Sequence, residues 1–136
     1  MTRLELRVDV ATPAEVTWAA ATDWARQGEW VLATRVRVTR GDGRGVGTEL
    51  AAFTGLGPIG FTDTMRVTAW EPPLRCAVRH TGRLVRGTAE FRVVPRGACS
   101  TFVWVEDVPP ALGVVLAPGV RWSLHRFADF VREYDR

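Results

Sequence analysis

Between residues 34 and 108 the chain alternates apolar and polar side chains in successive short runs, and only turn-forming residues separate them. The runs cover 34–40, 46–54, 61–70, 74–82, 85–94 and 99–108. Between them lie Gly41-Asp42-Gly43, Gly55 to Gly60, Glu71-Pro72-Pro73, Gly82-Arg83-Leu84 and Pro95-Arg96-Gly97. A period of two puts successive side chains on opposite faces of a strand, and connections this short join antiparallel neighbours. The pattern therefore predicts a long antiparallel meander with one apolar face, closed by Pro109-Pro110. Residues 3–10 add a seventh strand, with Leu4, Leu6, Val8 and Val10 on one face and Arg3, Glu5, Arg7 and Asp9 on the other.

The segments on either side of the meander have a helical period. Thr12-Pro13-Ala14-Glu15 predicts a helix start, with Thr12 as N-cap, Pro13 in the first turn and Glu15 closing a capping box. Val16, Ala19, Ala20 and Trp24 would form the buried stripe of one or two short helices, loosened at Gly28 and followed by Trp30. At the other end Val120, Leu124, Phe127, Val131 and Tyr134 recur at spacings of four and three, a single apolar stripe. Arg121, Trp122, His125, Arg126, Asp129, Arg132 and Glu133 occupy the opposite side. Pro118-Gly119 either starts this helix or kinks a longer one from about Ala111, whose Leu112, Val115 and Leu116 share the phase. A single antiparallel sheet must cover its apolar face, and this helix is the available cover. The expectation is an α+β chain: a curved seven-stranded antiparallel sheet gripping a C-terminal helix, with two short helices after the first strand, in one domain over 1–136.

Composition narrows the chemistry. All 18 basic residues are Arg, and Lys and Asn are absent, so lysine Schiff bases, P-loop lysines, Ser-Lys pairs and N-glycosylation are excluded. The formal net charge of +3 is far from the dense basic clusters of nucleic-acid binders. The N-terminus has no hydrophobic leader and the apolar stretch from Ala111 to Ala117 is too short to span a bilayer, which predicts a cytoplasmic protein without membrane insertion. Cys76 and Cys99 read as reduced thiols. With His80 and His125 they show no metal-ligand spacing, and no glycine-rich nucleotide motif leads out of a strand. No metal and no cofactor are expected.

The element order, together with Gly45-Val46-Gly47-Thr48, Gly55-Leu56-Gly57-Pro58-Ile59-Gly60-Phe61-Thr62-Asp63 and Trp70-Glu71-Pro72-Pro73, resembles the START-like (Bet v 1-like, SRPBCC) superfamily. The likeness is greatest to its polyketide cyclase/dehydrase and lipid-transport branch and covers essentially the whole chain. It implies a hydrophobic cavity between sheet and C-terminal helix. It does not single out a function, because that scaffold carries lipid binders, cyclases and ribosome-associated proteins.

Register locates the inner face. Phe61, Asp63, Met65, Val67 and Ala69 share one face of their strand, and Leu74, Cys76, Val78 and His80 share one face of the next. Pairing Ala69 with Leu74 sets Val67 opposite Cys76, Met65 opposite Val78 and Asp63 opposite His80. Continuing, His80 meets Gly87, Val78 meets Ala89 and Cys76 meets Phe91. Pairing Phe91 with Phe102 then sets Ala89 opposite Trp104 and Gly87 opposite Glu106. On the other side Asp63 meets Ala52 and Met65 meets Leu50. One layer of the concave face thus reads Ala52, Asp63, His80, Gly87, Glu106 above apolar layers, the composition of a ligand pocket; the other reading is a solvated rim.

The first functional expectation is a binder of a small hydrophobic or aromatic molecule. Its walls would be Leu50, Met65, Cys76, Val78, Phe91, Phe102 and Trp104 from the sheet and Leu124, Phe127 and Val131 from the helix, with plain core packing the simpler account at any single position. The alternative, implied by the resemblance, is a cyclase/dehydratase with His80 as acid/base, Asp63 orienting it and Glu106 as a second acid or hydrogen-bond partner. No Arg or Tyr falls on the inner face. The third is a nucleic-acid or ribosome surface built from Arg66, Arg75, Arg79, Arg86 and Arg92 on the convex face, for which a solvated sheet face is the simpler account. His125 is expected at the surface, and Trp122 there suits either a monomer or a homodimer contact.

Overall fold

The computed structural model describes residues 1–134. Strand β1 (Thr2–Val10) leads into helix α1 (Ala14–Ala21) and a 3-10 segment, Trp24–Glu29. Six strands follow: β2 (Thr34–Arg40), β3 (Glu49–Leu56), β4 (Ile59–Glu71), β5 (Arg75–His80), β6 (Thr88–Arg96) and β7 (Cys99–Val108). Helix α2 (Pro110–Arg132) closes the chain. All strands form one antiparallel sheet in the order β1-β7-β6-β5-β4-β3-β2, and α2 packs against its β1 side. This is the α+β helix-grip arrangement that the patterning predicts.

Several details differ from expectation, each for a local reason. Thr12 is not the N-cap of α1. Pro13 holds that position with extended backbone, while the Thr12 hydroxyl bonds Thr17 Oγ1 at 2.8 Å and no capping box forms. Thr17 in turn reaches Ser100 Oγ at 2.6 Å, so this corner is tied to β7. The buried face of α1 is Ala14, Thr17, Trp18, Ala20 and Ala21, with Ala19 exposed. Helix α2 takes the longer of the two forms left open, starting at Pro110 and running through Pro118. Pro118 lacks the N–H that would bond back one turn. The helix continues because its later turns bury Val120, Leu124, Phe127 and Val131 against the sheet.

Two register expectations also change. In β4 the pairing runs Met65↔His80 and Val67↔Val78, then Ala69↔Ala77 and Trp70↔Cys76. Thr68 is the extra residue of a β-bulge, and it exchanges the faces of Ala69 and Trp70. Trp70 thereby turns inward onto Trp18, 5.1 Å between rings, and Leu74 lies in the turn, 47% exposed. In the β6–β7 hairpin Phe91 pairs with Trp104 and Ala89 with Glu106, because the loop is the two residues Gly97-Ala98 and Gly97 adopts φ +67°. That slip of two residues preserves parity, so every inner side chain stays inner. The β3–β4 and β5–β6 pairings are as expected.

Trp30 closes the 3-10 segment as its C-cap, near the end of the short helices as expected, and it is also the centre of the core. It is fully buried, with Phe127 at 4.7 Å, Phe102 and Trp104 at 5.8 Å and Phe91 at 5.9 Å between ring centroids. Edge-to-face geometry of this kind adds to the burial of the rings. These aromatics fill the space between the sheet and the C-terminal half of α2. Among the described residues nothing comparable fills the space under its N-terminal half.

Candidate functional site

That unfilled space is a cavity of about 420 Å³. Its floor is the concave face of β2 to β7, and its roof is the first half of α2 with the 3-10 segment and the residues that follow it. Of the expected wall residues, Leu50, Ala52, Met65, Cys76, Val78 and Phe91 line it, as does Trp104. Phe102, Leu124, Phe127 and Val131 do not: they are packed in the core around Trp30. Gly87 is also outside the wall. Its φ of +107° and its approach to the Asp107 carbonyl, which a Cβ would strike, make it a backbone device at the start of β6.

The helix contributes Leu112, Val115, Leu116, Gly119, Val120 and Ser123 instead. The shared phase of Leu112, Val115 and Leu116 was the signal for part of this set. Gln27 from the 3-10 segment, Val31 and Leu32 from the irregular stretch after it, and Thr34 from the start of β2 also line the cavity. Ser123 joins the two groups. Its Oγ accepts the Leu32 N–H at 2.9 Å and donates to the Gly119 carbonyl at 2.8 Å.

Asp63, His80 and Glu106 converge at one end of the cavity. His80 Nδ1 lies 2.9 Å from Asp63 Oδ1, and Nε2 lies 3.2 Å from Glu106 Oε2. Trp104 Nε1 donates to the other Glu106 oxygen at 3.0 Å. The strands carrying His80 and Glu106 are two spacings apart, roughly 10 Å. The side chains meet because the residues of β6 opposite them are small: Ala89 pairs with Glu106, and His80 donates its backbone N–H to Gly87. The Thr68 bulge moves His80 opposite Met65, and its ring reaches Asp63 diagonally.

His80 and Glu106 are only 8% and 6% exposed. Burial opposes the charged imidazolium, but the hydrogen bonds to Asp63 and Glu106 outweigh it and raise the His80 pKa to about 9. A neutral imidazole would also have to turn a lone pair toward one carboxylate. Burial pushes the Cys76 thiol up to about 12, so it is a protonated wall residue rather than a nucleophile. Among the described residues no cluster of His, Cys, Asp and Glu is arranged to hold a metal ion. Among the same residues no helix is long and apolar enough to cross a membrane.

On the convex face Arg66 and Arg79 are exposed and Arg75 and Arg92 half-buried, whereas Arg86, expected on that face, is exposed in the loop before β6 because the strand starts only at Thr88. Arg75 bonds Glu90 at 2.7 Å and Glu71 at 3.0 Å, and Arg92 also pairs with Glu90. His125 is exposed, and the exposed Trp122 carries the Arg126 guanidinium 5.2 Å from its ring.

Solved structures share this architecture. The Zhui aromatase/cyclase from a Streptomyces species matches with a TM-score of 0.80 at 17% identity, over 99% of this chain and 96% of its own. A START superfamily protein from Mycobacterium smegmatis matches with a TM-score of 0.80 at 14% identity, over 96% and 97%. A protein from Mesorhizobium loti matches with a TM-score of 0.81 at 13% identity, over 99% and 100%. At these identities the likeness concerns the fold. No curated protein matches by sequence. The profile of the family described as "Polyketide cyclase / dehydrase and lipid transport" matches residues 1–134. The chain therefore belongs to the polyketide cyclase/dehydrase and lipid-transport family, built on the START-like helix-grip fold.

Proposed function

We propose that the chain binds a small hydrophobic or aromatic molecule between the sheet and α2, with its polar end at the Asp63–His80–Glu106 cluster. The observation that carries this reading is the cavity itself: about 420 Å³ of mostly apolar wall with one convergent polar group, the usual make-up of a small-molecule site. Family membership supports it, and the aromatase/cyclase among the structural neighbours suits an aromatic, oxygenated ligand.

The test is a titration with N-phenylnaphthylamine, a neutral apolar fluorophore, followed by displacement with a panel of alcohols, phenols and sterols. Saturable binding is expected, weakened about tenfold or more in Ala52→Phe, which places a ring in the space beside Asp63. The reading fails if nothing on the panel binds and mass spectrometry of the purified protein finds no co-extracted hydrophobe.

A second reading, a cyclase/dehydratase, is favoured by one feature, the buried histidine between two carboxylates. Asp63 would remove a proton next to a carbonyl and the imidazolium would balance the charge. Against it, both ring N–H groups of His80 face carboxylates, which leaves neither of them to stabilise an enolate oxygen. Turnover of a poly-β-ketone substrate that is lost in His80→Gln would favour this reading over simple binding.

A further inference from the structure

The polar groups of the cavity wall divide sharply into engaged donors and open acceptors. His80 directs both ring N–H groups at Asp63 and Glu106, and Trp104 donates to Glu106. Trp24 Nε1 donates to the Gly43 carbonyl at 2.9 Å. Thr34 donates to the Leu32 carbonyl at 2.7 Å, so the 3.0 Å contact with Thr54 takes the Thr54 hydrogen. Ser123 donates to Gly119, and Gln27 Nε2 donates to the Ala21 carbonyl at 3.0 Å. What is left over from these side chains is mainly acceptor capacity. Among the described residues, Oδ2 of Asp63 and Oε1 of Gln27 have no hydrogen-bond partner. A second Gln27 amide hydrogen and the weak Cys76 thiol are the remaining side-chain donors.

Charge points the same way. Asp63, His80 and Glu106 share one proton beyond the neutral imidazole and two carboxylates, so their sum is one negative charge wherever that proton sits. Glu90, the other charged residue of the wall, is balanced by Arg75 and Arg92 on the far side of the sheet. No Arg lines the cavity among the described residues. An anionic ligand group would approach an uncompensated negative charge in a largely apolar space, where screening by water is weak.

We propose that the cavity selects ligands whose polar end donates a hydrogen bond and carries no negative charge, with Oδ2 of Asp63 as the accepting atom and carboxylate ligands rejected. This rests on the ligand-binding reading and adds the chemical class of the occupant: an alcohol, phenol or amine end on an apolar body, not a fatty or aromatic acid.

Three probes of matched shape test it by calorimetry at neutral pH: naphthalenemethanol, naphthalenemethylamine in its cationic form, and naphthoate. The alcohol and the amine are expected to bind at least about tenfold more tightly than the acid. In Asp63→Asn, nearly isosteric and neutral, the amine should weaken and the acid should strengthen, so that the gap closes by about tenfold. The unsubstituted protein decides the matter if the variant fails to fold. Equal affinities, or naphthoate binding tightest, would overturn the selectivity while leaving ligand binding intact. Failure of all three to bind, together with a negative fluorophore titration, would remove the ligand-binding reading and this inference with it.

Discussion

Replacing His80 with Gln removes the one titrating cation between the Asp63 and Glu106 carboxylates, and the loss should depend on pH in a defined direction. The folded protein holds the imidazolium to a pKa of about 9, against 6.5 for an unperturbed histidine. Burial alone would lower that value; the hydrogen bonds to Asp63 and Glu106 raise it. Between these limits the native state binds more protons than the unfolded chain, so stability falls as pH rises. The stabilisation is complete below pH 6.5, declines through the interval and is gone above about pH 9. At about 1.4 kcal/mol per pH unit, the interval is worth about 3 kcal/mol.

The assay is urea denaturation followed by tryptophan fluorescence, at half-unit steps from pH 6 to 9, on the wild type and His80→Gln. The variant should be less stable at pH 6.5 by roughly 3 kcal/mol or more, since the buried Glu106 and the half-buried Asp63 lose a charged partner. The gap should shrink by about 3 kcal/mol as pH approaches 9. Taking the difference between the two proteins cancels the contribution of Cys76, whose thiol stays protonated in the folded state while an unfolded cysteine ionises near pH 9. A gap that is constant from pH 6 to 9 would refute the claim that His80 is held as a cation.

Other outcomes follow from the same packing and chemistry. Trp30→Ala should cost about 3–5 kcal/mol in urea denaturation, the range for deleting a buried aromatic, and Trp30→Phe distinctly less, because Trp30 Nε1 is buried without a hydrogen-bond partner and Phe removes that donor. Gly87→Ala should cost at least about 1–3 kcal/mol, from its positive φ and the collision with the Asp107 carbonyl. It should also weaken fluorophore binding, because the His80 backbone N–H is anchored on Gly87. In native protein a thiol reagent should label the half-exposed Cys99 and spare Cys76, which is buried and protonated; prompt labelling of both without denaturant would contradict the placement of Cys76.

Much of the cavity floor was legible from residue parity. Phe61, Asp63 and Met65 share one face of β4 and Cys76, Val78 and His80 one face of β5, and an even register error between the two leaves inner residues inner. The misplacement of Phe91 by two positions against β7 therefore still brought Glu106 to the inner face. An odd irregularity does not forgive in this way. The Thr68 bulge exchanged Ala69 and Trp70, and no residue type at that point announces an inserted residue.

The roof was far less legible. The stripe Val120-Leu124-Phe127-Val131 predicts a buried helix face, but a buried face is the same in sequence whether it meets a packed core or an empty space. Trp30 settles which end is which. By filling the space under the C-terminal half of α2 with the help of Phe102 and Phe127, it leaves the cavity under Leu112 to Ser123. That contact joins a residue from an irregular loop to a helix nearly a hundred positions later, and neither carries a local mark of the other.

Alternation of side chains and turn chemistry are properties of neighbouring residues, so the order of the six meander strands, the sheet's inner face and the covering helix are written in the chain directly, whereas the pairing of β1 with β7 is not. The hydrogen bond from His80 to Glu106 spans two strand spacings and depends on small side chains in between, the one to Asp63 depends on a bulged register between neighbouring strands, and the volume beside them depends on both. Only the folded packing decides them, because a cavity is defined by the residues that fail to fill it.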